Sequence, residues 1–277
     1  MSHKPVYHLS FGRIGLLSIV FLISACSVMV ERDGAPKAPV DVSSIPNAVP
    51  RDEPRSRYGN PESYEVFGKR YYVLNSSKGY VERGIASWYG TKFHGKRTSS
   101  GETYDMYAMT AAHKTLPLPS YVQVTNLENK KSVIVRVNDR GPFHENRIID
   151  LSYAAASKLG ILPTGTALVE VRAIDSTTYA SNKNTSPIKA VALDNSPVRE
   201  FYIQVGAFSE LMNAENLRNK LGAIGNSLVK INQAVVDNKL LYRVRIGPLV
   251  SIDYADQIVG QLITLGLTDY HIVVDGS

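Results

Sequence analysis

Apolar and polar residues change their spacing several times along this chain, and each change marks a boundary. Residues 14–23 form an apolar run of ten. Residues 27–63 show no period and carry Pro36, Pro39, Pro46, Pro50, Pro54 and Pro61 among serines and charges, the composition of a flexible tether. Order returns over 64–80, where 71–74 reads as a short strand. From 82 to 175 an alternation of period two dominates. Residues 85–89, 121–125, 132–137 and 167–174 read as strands, with Val133, Val135 and Val137 on one face. Asn138-Asp139-Arg140-Gly141-Pro142 reads as a turn. Ser152 is placed to cap a short helix over 153–159, and Gly160 to end it. About six short strands with one helix predict a small closed all-β barrel.

A second polar stretch, 176–196, separates this region from a strand and helix pattern that occurs twice. Residues 201–208 read as a strand, 213–221 as a helix and 227–236 as a strand. Residues 242–249 are again a strand, 251–265 a helix and 271–274 a last strand. The order βαββαβ predicts an α+β, ferredoxin-like module with its helices on one side of a sheet. The expected segments are therefore 1–25, 26–81, 82–175, 176–196 and 197–277.

The first segment changes meaning once charge and cysteine are added. Lys4 and Arg13 precede the apolar run, Ser24 and Ala25 follow it, and the only cysteine, Cys26, comes next. The run is too short for a membrane span, which needs about 20 residues, and it fits the core of a signal peptide. One cysteine excludes an internal disulfide. The formal net charge of +6 suits an anionic polymer or membrane surface and falls well short of a nucleic-acid signature. No His/Cys cluster has metal-ligand spacing, and no Gly-rich phosphate loop precedes a helix, so neither a metal nor a cofactor is expected.

Candidate chemistry concentrates in 84–113. Trp88, the only tryptophan, and Tyr89 stand beside polar groups, an arrangement suited to stacking on sugar rings. Glu102 and Asp105 lie three apart, and His113 follows. Asp139, Arg140 and Asp150 lie in two later segments that a closed barrel can bring to the same groove. Cleavage of a glycosidic bond needs an acid at the leaving oxygen. A carboxyl group serves only if burial or a neighbouring negative charge keeps it protonated, and Glu102 with Asp105 is one candidate for such coupling. Trp88 and Tyr89 as core residues, and Asp139 and Asp150 as turn or cap residues, remain open alternatives.

Residues 84–160 closely resemble the rare lipoprotein A (RlpA) family. The resemblance is carried by Ala86-Ser87-Trp88-Tyr89-Gly90, Phe93-His94-Gly95, Thr98-Ser99-Ser100-Gly101-Glu102, Thr110-Ala111-Ala112-His113, Val135-Arg136-Val137-Asn138-Asp139-Arg140-Gly141-Pro142 and Ile149-Asp150-Leu151-Ser152. Ile23-Ser24-Ala25-Cys26 resembles a lipobox, and 197–277 resembles a SPOR domain. The resemblance implies a six-stranded double-psi β-barrel and a lytic transglycosylase active on peptidoglycan strands stripped of stem peptides. It assigns activity to Glu102, Asp105 and His113, makes Asp150 a rival proton donor, and leaves Asp139 as a supporting acid. Trp88, Tyr89, Arg140 and, in the SPOR-like strand, Gln204 are the substrate-binding candidates. Cys26 would carry lipid and hold the protein to the outer membrane facing the periplasm, with enrichment at the division septum. A non-catalytic protein that binds stripped glycan and links membrane to wall is the alternative.

Overall fold

A computed structural model describes residues 33–274, apart from 39, 145, 177–178, 180–199 and 226. Six strands close into a barrel. They are β3 (Val81–Tyr89), β4 (Thr110–His113), β5 (Ser120–Asn126), β6 (Ser132–Asp139), β7 (Arg147–Ser152) and β8 (Ala167–Ala173), in the order β3-β7-β4-β6-β5-β8. The β3–β7 and β4–β6 pairs are parallel and the others antiparallel. Alternation puts Val122, Val124, Val133, Val135, Val137, Ile149, Leu151, Val169 and Val171 inside, all fully or almost fully buried. Each such side chain contributes about 1.5–3 kcal/mol. Helix α1 (Tyr153–Leu159) follows β7 directly. Ser152 caps it by accepting from Ala155 N, and Gly160 ends it at φ 77°.

Residues 40–81 are not a free tether. A two-stranded ribbon of β1 (Ser63–Val66) and β2 (Lys69–Tyr72) stands before the barrel, so the strand expected at 71–74 begins earlier. Ahead of the ribbon the chain runs as a strap across the barrel. Val42 is buried in the barrel core. Ala48 N donates to Ile134 O, and Asn47 Oδ1 accepts from Ile134 N. Ser56 N donates to Leu118 O, and Asn60 Oδ1 accepts from Leu118 N. The prolines suit an extended segment whose backbone polar groups find partners on the barrel instead of in a regular ladder. Two glycines are required by this path. A Cβ at Gly90 would lie 2.0 Å from Gly34 O, and one at Gly59, where φ is +79°, would lie 2.7 Å from Ser99 O.

The C-terminal module has the expected order. Strands β9 (Phe201–Phe208), β10 (Val229–Val236), β11 (Lys239–Leu249) and β12 (His271–Val274) form an antiparallel sheet in the order β10-β11-β9-β12. Helix α2 (Leu211–Lys220), a single turn α3 (Gly222–Gly225) and helix α4 (Ile252–Thr264) join the strands. Ile203, Val205, Ala214, Leu221, Val244, Ile246, Ile258 and Leu262 share one core. Two barrel residues, Ile85 and Leu168, are buried in that same cluster. Cys26 and most of the linker expected at 176–196 lie outside the described residues. No described helix is long and apolar enough to cross a membrane.

Candidate functional site

The strand register builds one wall of the site. Asp139 on β6 pairs with Ala112 on β4, which pairs with Asp150 on β7, which pairs with Ser87 on β3. These four residues therefore lie in one row on one face of the barrel wall. The neighbouring row, Val137, Ala111 and Leu151, points into the core. Two strand spacings separate Asp139 from Asp150, about 10 Å.

The carboxyl groups in and around this row have different surroundings. Asp150 Oδ1 accepts from the Ser87 hydroxyl, and among the described residues Oδ2 has no partner. Burial pushes the Asp150 carboxyl above its ordinary range, and the Ser87 hydrogen bond, Arg147 and Lys114 offset this only partly. Asp139 Oδ1 accepts from Ser99 N at 2.7 Å, Ser99 Oγ at 2.7 Å and Arg140 N at 2.8 Å. Asp139 thus pins the 98–102 loop to the end of β6.

That loop carries Glu102. Both of its oxygens accept from Arg136 Nη1 at 2.8 Å, and Oε2 accepts from Asn138 Nδ2 at 2.9 Å. Burial raises its ionisation, but the Asn138 amide and the Arg136 guanidinium outweigh burial and hold Glu102 below the usual range. Asp105 accepts from Tyr107 N at 2.9 Å, and its Oδ1 lies 3.8 Å from His94 Nδ1. Among the described residues no hydrogen bond joins Asp105 to Glu102. The coupled acid pair expected from their spacing is therefore not formed, because Glu102 turns to β6 and Asp105 to the 94–107 turn. The carboxyl that its surroundings push above its ordinary range is that of Asp150.

His113 is 2% exposed. Its Nδ1 accepts from Thr115 N and Leu116 N, and Nε2 lies 2.9 Å from Tyr80 Oη. Both ring nitrogens are engaged within the protein, and no hydrogen bond links the ring to Glu102, Asp105, Asp139 or Asp150. Its place is that of a support for the turn after β4.

The aromatic and cationic candidates also separate. Trp88 is half-buried, packed edge-on against Tyr153. Tyr89 lies 7% exposed, stacked on Tyr104 at 4.1 Å between centroids, so its face is covered and offers no platform for sugar. The Tyr89 hydroxyl has no hydrogen-bond partner at acceptable geometry among the described residues. Burial, reinforced by Tyr104, Asp139 and Asp150, pushes its ionisation well up. Arg140, expected to hold substrate, spends its guanidinium on the protein: Nε donates to Gly59 O at 2.9 Å, and Nη1 to Leu116 O at 2.6 Å and His113 O at 3.1 Å. It staples the strap to the turn after β4. Beside it a pocket of about 400 Å³ is lined by Gly59, Pro61, Tyr64, Ser99, Arg140 and Phe143. Gln204 sits on β9, away from the barrel row. Its Oε1 accepts from Arg245 Nε at 3.2 Å, and its Nε2 lies 3.3 Å from His271 Nε2.

Sequence reasoning gave no role to Arg136, Asn138 or Ser87. A signal for Arg136 was present: it is the one charge in the otherwise apolar run 133–137. Among the described residues no three His, Cys, Asp or Glu side chains converge as metal ligands.

Comparison with known proteins places this geometry. Residues 81–171 match the family model described as lytic transglycolase, and residues 197–270 match the SPOR domain model. The chain is 45% identical over 270 residues to the endolytic peptidoglycan transglycosylase RlpA of Pseudomonas aeruginosa (strain UCBPP-PA14), covering 80% of this chain and 79% of that protein. The chain belongs to the RlpA family. The RlpA of Vibrio cholerae serotype O1, also named an endolytic peptidoglycan transglycosylase, is 42% identical over 90% of this chain and 92% of its own length. Among solved structures, the RlpA SPOR domain from Pseudomonas aeruginosa is 33% identical over 26% of this chain and 96% of its own, with a TM-score of 0.25. The lytic transglycolase match runs from β3 into β8, and the SPOR match from β9 through α4, ending just before β12.

Proposed function

We propose that this chain is an endolytic peptidoglycan transglycosylase, with Asp150 as its proton donor. The observation that carries this assignment is the state of Asp150, a carboxyl pushed up by burial, held by Ser87 and with one oxygen unpartnered. In the reaction Asp150 gives its proton to the glycosidic oxygen as the bond from that oxygen to muramic acid C1 breaks. The 6-hydroxyl oxygen of the same muramic acid bonds to C1, and its proton passes to the Asp150 carboxylate. The acid is restored, an anhydro ring is formed and no water is consumed. Glu102, kept ionised by Arg136 and Asn138, faces the positive charge that develops at C1. Asp139 positions the loop that bears Glu102. The substrate is glycan stripped of stem peptides, which the SPOR domain also binds and which concentrates the protein at the division septum. Lipid on Cys26 holds it to the outer membrane, facing the periplasm.

Incubation with peptide-free glycan should release anhydro-muramic ends from within strands. Asp150→Asn should lower kcat by roughly 10²–10⁴-fold, the usual contribution of a general acid, and Glu102→Gln by a comparable factor. A folded Asp150→Asn variant with wild-type turnover would overturn the assignment of the donor. A folded wild type that yields no anhydro ends would overturn the activity itself.

A further inference from the structure

The strap brings a carboxylate of its own to the site. Arg136 projects from β6 between two acids. On one edge its Nη1 donates to both oxygens of Glu102. On the other, Nε donates to Glu53 Oε1 at 3.1 Å and Nη2 to Glu53 Oε2 at 2.8 Å. Glu53 is held in turn by the Tyr121 hydroxyl and by Arg51 Nε at 3.0 Å. The Arg136 and Glu53 side chains are each 18% exposed, whereas Glu102 is 42% exposed and opens to solvent. A guanidinium fixed along one edge by a two-point carboxylate contact cannot rotate about its own plane. The plane it presents to Glu102 is therefore set from the strap.

We propose that Glu53 is a positioning residue of the catalytic site: through Arg136 it fixes the orientation of Glu102 and takes a share of the guanidinium charge. This rests on the reading of the barrel as a transglycosylase in which Glu102 takes part. Glu102 is faced by Arg136 and Asn138 from β6, by Ser100 from its own loop, and across Arg136 by Glu53 with Arg51 behind it. One cation between two anions serves both. When Glu53 is neutral, Arg136 serves Glu102 alone and holds it more firmly in its ionised form.

The test uses the full chain in detergent. Carbon-detected NMR, assigned with Glu102→Gln, follows the Glu102 carboxyl through a pH titration, while kcat and KM are measured on peptide-free glycan. In Glu53→Gln the Glu102 midpoint should move to lower pH. Turnover should fall on the order of tenfold, as expected for a misplaced reacting group, with little change in KM. Glu53→Asp should recover part of the loss. Asn47→Ala loosens the strap at Ile134 without touching Arg136, and it should keep wild-type kcat per folded molecule. An unmoved Glu102 midpoint in Glu53→Gln overturns the proposal. So does a turnover loss that Asn47→Ala reproduces at equal loss of stability. If the wild type makes no anhydro ends, the transglycosylase reading fails, and the Glu102 midpoint alone decides whether Glu53 acts through Arg136.

Discussion

His113 is uncharged at neutral pH. Two backbone N–H groups donate to Nδ1, which places the ring proton on Nε2, from where it donates to the Tyr80 oxygen, while the Tyr80 hydroxyl donates to Glu82. Burial, with Arg140 and Lys114 nearby, lowers its pKa to about 3. The unfolded chain takes up a proton here near pH 6.5 and the folded one does not, so stability falls as pH drops below 6.5. The slope from one such group is at most about 1.4 kcal/mol per pH unit. Glu53, lowered to about 2, and Glu102 and Glu170, also lowered, cost stability only below their unfolded value of 4.5. Asp150, raised, opposes the trend wherever the folded form holds the extra proton. Asp150 acts alike in the wild type and in His113→Gln, so from pH 6.5 to 4.5 the difference between the two proteins isolates His113. The wild-type denaturant midpoint should fall across this interval relative to that of His113→Gln. Midpoints that move in parallel in the two proteins would place the titrating group elsewhere.

At the scale of elements, regular pieces were legible and the irregular piece was not. Alternation found β3, β5, β6 and β8, and the Ser152 and Gly160 signals bounded α1 at the residues observed. Strand β4 escaped because its four residues are too few to alternate, and β7 was met as a motif, not as a strand. The strap escaped for a different reason. An extended proline-rich path has no period, and its partners, such as Leu118 and Ile134, lie 62 and 86 positions away. Composition alone cannot tell a strap from a tether. The same blind spot hid Glu53 and gave Arg140 a substrate role in place of its stapling one. Val42 tests the correction. Val42→Ala should cost roughly 1–3 kcal/mol in denaturant unfolding, as for other truncations in a core. Val49, which is exposed, should show a change within about 0.5 kcal/mol on the same substitution. Equal and negligible effects at both positions would return the segment to the status of a loose tether.

Across the whole molecule, the SPOR domain and the barrel meet at an ion pair whose arginine, on the same strand as the proposed proton donor, is buried and whose partner Asp256 is 30% exposed. Arg147 opens β7, three residues before Asp150, and its side chain is 8% exposed. Asp256 of α4 reaches it at 2.6 and 3.2 Å, and Ile85 and Leu168 from the barrel wall sink into the SPOR core beside it. A buried pair adds little net stability against apolar residues of similar shape. Losing one partner is costly, about 3–5 kcal/mol, because the other charge stays buried and unpaired. That is enough to separate two domains while leaving each folded. Asp256→Ala should therefore increase the radius of gyration in solution scattering and split one thermal transition into two. The double variant Arg147→Met/Asp256→Leu, which leaves no charge behind, should restore the compact form. The undocked single variant should still bind peptidoglycan through its SPOR domain. Its barrel should have an altered acid profile, because Arg147 acts on Asp150 through its charge and that charge would be hydrated once the helix leaves. A single transition and unchanged scattering in Asp256→Ala would mean that the apolar contacts of Ile85 and Leu168 hold the domains together without the ion pair.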